Sequence, residues 1–140
     1  PEIRITRYTK DFSWGFYCTN NMEQAIRWAN RGMGEPIINY YEYKPNKNLN
    51  ILKFSEISDE WLDFIAKCRS GKTHIYDIVE GPMANDTVND FLSGRINRKQ
   101  FWALAEFRYP THQISFHTLS ALDCLTFIKS EVIYDSERKK

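Results

Sequence analysis

The sequence predicts a single α+β domain, and three observations carry that expectation. Strand-like and helix-like segments follow one another in mixed order. Two strand-like stretches flank a turn in the manner of a hairpin. No repeat, low-complexity tract or linker divides the 140 residues. A chain of this length can bury one sizeable core without disulfides or metals.

The elements follow in order. "GFYCT" (15–19) is a compact strand rich in β-formers, and Asn20 with Glu23 three residues later makes a capping-box-like helix start. Met22, Ala25, Ile26 and Ala29 keep helical spacing, and Gly32 supplies a stop. "PIINYYEYK" (36–44) and "NILKF" (50–54) read as two strands of a hairpin around "PNKN". Ser58 caps a second helix with Trp61, Leu62, Ile65 and Cys68 on one face, ending near Gly71. "HIYDIVEGP" (74–82) is a strand stopped by Gly81-Pro82, and helices are expected over 86–94 and 98–107 before Pro110 forces extended chain. "QISFHT" (113–118) is a strand. "LSALDCLTFI" reads as a helix with Ala121, Leu122, Leu125 and Ile128 on one side, and "EVIYD" (131–135) closes as a strand.

Composition excludes several classes. With 19 basic and 18 acidic residues the net charge is +1, too balanced to draw in nucleic acid or an anionic membrane by field alone. Nucleic acid is therefore not expected as a partner. Cys18, Cys68 and Cys124 are odd in number and widely spaced, which indicates neither a disulfide framework nor a zinc site and suits a reducing cytoplasm. No apolar run approaches the roughly 18 residues of a membrane span. The aromatic share of 15% calls for either an aromatic core or a stacking surface.

Two local signals are rejected. "SGKT" (70–73) ends like a phosphate-binding loop, but Ala66 stands where that loop needs glycine, and the segment leaves a helix instead of entering one. His112 and His117 lie five apart around one strand, so they face opposite sides and share no metal; no metal site is expected. His74 takes the same structural reading. Asp77, Glu80 and Asp86 form a candidate acidic patch whose simpler reading is strand ends and helix caps.

One stretch is less ordinary. Asp11-Phe12-Ser13-Trp14-Gly15-Phe16-Tyr17-Cys18-Thr19, followed by Glu23-Gln24-Ala25 and Trp28-Ala29, resembles the bacterial domain-of-unknown-function family numbered 3990. Its members read approximately Asp-Phe-Gly-Lys-Gly-Phe-Tyr-Leu-Thr before an "EQA..WA" helix. Tyr76-Asp77-Ile78-Val79, Gly81-Pro82, Asp86 and Val88 are similar to a second block of that family. Gln113-Ile114-Ser115-Phe116 with Thr118, Ala121, Leu122 and Leu125 is similar to a third. The resemblance runs from about Arg7 to Ile128.

That family in turn looks like a branch of the ADP-ribosyltransferase superfamily, in which a "GxGxYF" strand and the following helix wall the nicotinamide site of NAD. The resemblance implies a split mixed or antiparallel sheet with flanking helices, NAD as substrate, and transfer of ADP-ribose to an unidentified target, such as a protein. Gly15 would then allow close approach of the carboxamide, Tyr17 would stack on the ring as a catalytic-site residue, Phe16 would point into the core, and Thr19 would orient the ribose or line the pocket. Arg7 is the nearest basic residue for the phosphates. Gln113 stands where the superfamily places a catalytic glutamate; its amide can hold ribose but cannot act as a base.

Ser13-Trp14 replaces the family's usual Gly-Lys, which removes backbone freedom and a positive charge. The superfamily's "YHGS"-like histidine strand would lie upstream of Pro1, so the expectation is one ADP-ribosyltransferase-like domain over 1–140 that either is a fragment of a longer chain or lacks the group that grips the nicotinamide ribose. The alternative is a degenerate member that binds a nucleotide or a protein without chemistry.

Overall fold

The computed structural model describes residues 10–31, 34–105 and 111–133. Along them run β1 (Phe16–Cys18), α1 (Met22–Arg31), β2 (Ile37–Tyr43), β3 (Ile51–Lys53), α2 (Asp59–Arg69) and β4 (Ile78–Gly81). They are followed by α3 (Asp86–Leu92), α4 (Arg98–Ala105), β5 (Gln113–Phe116), α5 (Leu119–Leu122) and β6 (Leu125–Val132). The class is α+β. A four-stranded mixed sheet has the order β1-β5-β4-β3, with β3 and β4 parallel and the other pairs antiparallel, and β2 and β6 form a separate antiparallel ribbon.

Local chemistry sets several boundaries. The Ser58 hydroxyl accepts the N–H of Trp61 at 3.1 Å, and Asn85 Oδ1 accepts those of Thr87 and Val88, so α2 and α3 start on side-chain caps. "SGKT" is the end of α2: Ser70 is the C-cap, and Gly71 takes a left-handed φ of 98°. At α1 the cap lies one residue later than expected. Asn21 Oδ1, and not the Asn20 side chain, accepts the Gln24 N–H at 3.1 Å. Gly32, the expected stop, and Pro110 lie outside the described residues.

Two expectations are corrected. β2 and β3 do not form a hairpin. The N–H of Lys44 donates to Cys124 O at 2.9 Å, which ties the end of β2 to the ribbon, while Asn50 exchanges backbone and side-chain bonds with Asp77 and starts β3 beside β4. The segment 44–50 thus crosses from one sheet to the other. The expected helix through Ile128 is also wrong, because α5 is a single turn and Leu125 already belongs to β6. Thr126, Phe127 and Ile128 are good strand formers, and pairing with β2 decides their conformation. Ile128 is the extra residue at a bulge, since Tyr40 faces Lys129 while Tyr41 faces Phe127.

The larger sheet separates two apolar clusters by strand alternation. On one face Val79 packs with Phe12, Trp61, Leu62, Ile65, Val88 and Phe101, the faces of α2, α3 and α4. Trp61 is 1% exposed and donates its indole N–H to Pro82 O at 2.9 Å, so its burial leaves no polar atom unpaired. On the other face Ile78, Ile114 and Phe116 pack with Ala121 and Cys124, joined by Tyr43 and Leu125 from the ribbon. Among the described residues no helix is long and apolar enough to cross a membrane.

Candidate functional site

The ribbon does not close fully on the sheet. Between them, with α1 along one side, lies a cleft of about 660 Å³. Strand alternation turns Phe16 and Cys18 of β1 and Ile114 and Phe116 of β5 toward it, and β2 contributes Tyr41 and Tyr43. The rings are ordered edge to face: Phe16 with Tyr41 at 5.7 Å and 83°, Tyr41 with Phe127 at 5.7 Å and 69°, Tyr43 with Phe116 at 5.6 Å and 80°. Burial raises the pKa of both tyrosines, and pushes the Cys18 thiol up to about 11, so this wall is uncharged near neutral pH.

One end of the cleft is polar. Glu80 Oε2 lies 2.8 Å from His112 Nε2, and His112 Nδ1 accepts the Asn20 N–H at 3.0 Å. Thr19 also lines the cleft; its hydroxyl accepts the Asn21 N–H and sits 3.4 Å from His112 Nδ1. Gln24, 2% exposed, clasps the backbone of His112 from both sides: its amide N–H donates to His112 O and its Oε1 accepts the His112 N–H. The start of α1 is thereby latched to the residue that leads into β5, and the histidine is held against Glu80.

The opposite face of β1 and β5 is packed. The Tyr17 ring stacks on Phe12 with centroids 6.5 Å apart, and its hydroxyl donates to Ser13 O and accepts the Phe12 N–H; burial drives its pKa well up. The expected orientation holds only in part: Phe16 packs on the Ile78, Ile114 and Phe116 cluster but also presents its ring to the cleft, and Tyr17 packs against the opposite cluster with its hydroxyl engaged there. Tyr17 still belongs to the cleft wall. Gln113, 3% exposed, is on the Tyr17 side, where its amide donates to Asp11 Oδ2 at 3.0 Å and approaches Pro82 O at 3.3 Å. Asp11 also accepts the Ala84 N–H and pairs with Arg69 at 2.7 Å. Gln113 is thus a member of an internal polar network.

Gly15 also acts on this side. A Cβ there would lie 2.8 Å from His117 Nδ1 and 2.9 Å from Phe116 O, so the glycine makes room for the His117 ring. His117 Nδ1 donates to Trp14 O at 2.8 Å and Nε2 accepts from the Ser115 hydroxyl at 2.7 Å. Its ring meets His74 edge to face at 4.4 Å, and burial lowers its pKa to about 4. His74 in turn donates from Nε2 to Phe12 O and accepts the Tyr76 N–H on Nδ1.

The candidate residues thus divide. Phe16, Tyr17 and Thr19 stand at the cleft, the Tyr17 hydroxyl and Gln113 are engaged behind it, Gly15 lies beneath His117, and Arg7 lies outside the described residues. His112 and Glu80, which sequence reading assigned to structural positions, are the polar end of the cleft. His112 and His117 do face different sites. Among the described residues no group of three or more histidines, cysteines and carboxylates comes together as a metal site. A smaller cavity of about 270 Å³ opens on the helical side, but Asn85, Trp61, Pro82 and Thr111 along it already satisfy one another and their neighbours.

Comparison with curated proteins and with solved structures yields no match. The family model described as "Protein of unknown function (DUF3990)" matches residues 1–127. That span holds β1, the Glu80 strand, His112 and most of the cleft, and the chain belongs to the DUF3990 family.

Proposed function

We propose that the chain is an NAD-using protein of the ADP-ribosyltransferase type, which holds the nicotinamide end of NAD in the cleft and transfers ADP-ribose to an acceptor such as a protein. One observation carries the reading. The "GFYCT" strand, which resembles the nicotinamide wall of that superfamily, is one wall of a cleft whose volume of about 660 Å³ suits a small ligand, with aromatic sides and a carboxylate at one end. Phe16 takes the stacking place that the resemblance gives to Tyr17.

Cleavage of the bond between nicotinamide and ribose develops positive charge on the ribose, as in glycoside hydrolysis, and gains from a nearby carboxylate. Gln113 has no carboxylate and faces away. Glu80 is the cleft group with that capacity, and His112 holds it in place. The free cysteines Cys18, Cys68 and Cys124 support a reducing compartment such as the cytoplasm as the setting.

Titration of NAD into the protein by calorimetry, with chromatography of released nicotinamide, tests the reading. Wild type and Tyr17→Phe bind NAD, and Phe16→Ala loses most of the affinity. Absence of binding to wild type, or binding untouched by Phe16→Ala, would refute it. A second reading, a binding module without chemistry, is favoured by the engagement of the Gln113 amide with Asp11. Its signature is NAD binding without nicotinamide release.

A further inference from the structure

Among the described residues, the charged side chain that lines the cleft is a carboxylate. The rings of Phe16, Trp28, Tyr41, Tyr43 and Phe116 line it together with the carboxylate of Glu80, and its described lining contains no lysine or arginine. His112 meets that carboxylate as a hydrogen-bond donor from Nε2, and its Nδ1 accepts the Asn20 N–H. Lys129 lies over the Tyr40 ring at 5.0 Å, but its ammonium is answered by Glu131 at 3.7 Å.

Aromatic faces attract cations through the ring quadrupole, and a half-buried carboxylate adds a direct Coulomb attraction. An anion in the same place would meet Glu80 and find no cationic side chain among the described lining residues. Edge-to-face rings flanking one carboxylate suit a flat cation that is weakly hydrated, because a compact ammonium would lose more hydration on entry.

We propose that the cleft selects a planar aromatic cation of the N-alkylpyridinium class, with Glu80 as its counter-charge. The inference deepens the NAD reading and rests on it for the choice of pyridinium, since the nicotinamide ring of NAD carries that positive charge. It also supplies a route for product release. When the bond to ribose breaks, its electron pair returns to the ring nitrogen and the positive charge passes to the ribosyl group. Nicotinamide becomes neutral, and Glu80 ceases to hold it.

The test is a parallel titration of 1-methylnicotinamide, nicotinamide and NAD at low ionic strength, into wild type and into Glu80→Gln. Wild type binds 1-methylnicotinamide about tenfold or more tightly than nicotinamide, and the preference shrinks as salt rises. Glu80→Gln, which keeps an acceptor for His112, brings the ratio near one. Tyr41→Leu, on the half-exposed ribbon, weakens the cation and confirms the effect in a second, independently folded variant. Equal affinities in wild type, or an unchanged preference in Glu80→Gln, overturn the inference. Selective binding of 1-methylnicotinamide with no binding of NAD refutes the NAD reading and leaves the cation site standing. NAD binding with no preference for the cation does the reverse, and binding of none of the three refutes both.

Discussion

Replacing Gln113 by glutamate separates a residue that meets a ligand from one that holds the fold. The superfamily resemblance makes Gln113→Glu a restoration of the catalytic acid. The structure gives the opposite expectation. Gln113 is 3% exposed and donates its amide to Asp11 Oδ2 at 3.0 Å, so glutamate would set an acceptor against an acceptor. Two charged carboxylate oxygens about 3 Å apart repel by about 5 kcal/mol even at an effective dielectric constant of about 20. The chain escapes more cheaply by keeping the introduced carboxyl protonated, because its O–H then replaces the lost N–H. Against an ordinary glutamate pKa of about 4.3, that costs about 3.7 kcal/mol at pH 7 and about 1 kcal/mol at pH 5. The folded pKa is raised above the unfolded one, so the destabilisation is absent in acid and grows as pH rises. At about 3–4 °C per kcal/mol for a domain of this size, thermal unfolding followed by circular dichroism shows a midpoint lowered by about 10–15 °C at pH 7 and by about 3–4 °C at pH 5. Nicotinamide release from NAD does not increase. A variant as stable as the parent at pH 7, or one that cleaves NAD faster, would refute the internal network and place Gln113 against the ligand.

Three further outcomes follow from the same region. Gly15→Ala forces a Cβ to 2.8 Å from His117 Nδ1 and 2.9 Å from a backbone carbonyl, and costs about 2–4 kcal/mol in chemical denaturation through overpacking and a lost hydrogen bond. Gly94→Ala has open space around it but a φ of 82°, and costs only about 1 kcal/mol, so equal losses at the two sites would count against the close approach. Ser13→Gly stabilises the protein by about 0.5–1 kcal/mol, because Ser13 adopts a φ of 77° and relief of that conformation exceeds the added entropy of the unfolded glycine; a lower denaturation midpoint would contradict it. Stability falls with acid below about pH 6.5. His117 has its folded pKa lowered from 6.5 to about 4, so the unfolded chain takes up the proton first, and about 2 kcal/mol is lost between about pH 7.5 and pH 5. His74, also lowered by burial, adds to the loss, while Asp77, held low by bonds from Asn50 and Thr118, titrates below this window. In His117→Gln the slope over that window flattens.

The parts of the fold that were legible are those decided within a few residues. Ser58 and the Trp61, Leu62, Ile65 and Cys68 face define α2 by cap and period alone, and β1 and β5 fall where short runs of β-formers are bounded by turns or caps. The errors arise where a distant partner decides. Ala121, Leu122, Leu125 and Ile128 keep helical spacing, yet Thr126, Phe127 and Ile128 also favour a strand, and only β2, more than 80 residues earlier, resolves the ambiguity. The turn "PNKN" looks like a hairpin because nothing local reveals that Lys44 is tied to Cys124 and Asn50 to Asp77.

The strand β1 was legible in the sequence, but not which of its faces packs and which borders the cleft. A period of two says that Phe16 and Tyr17 oppose each other, as do Gln113 and Ile114, without saying which side packs. What decides is the turn before the strand. Ser13 takes a left-handed φ and folds Asp11 and Phe12 back over Tyr17, whose buried hydroxyl then finds Ser13 O and the Phe12 N–H. A buried phenol needs such partners, and once it has them the Tyr17 side is committed to packing. Asp11, brought to the same side, takes the Gln113 amide, and Gly15 admits His117. The cluster of Trp14, Gly15, Phe16 and Tyr17 is therefore a turn that closes one face of the sheet and leaves Phe16 on the other. The polar end of the cleft depends on a longer relation. Pairing of Glu80 with Ile114 across β4 and β5 brings His112, two residues before Ile114, within reach of that carboxylate, across 32 positions of sequence in which no motif joins them.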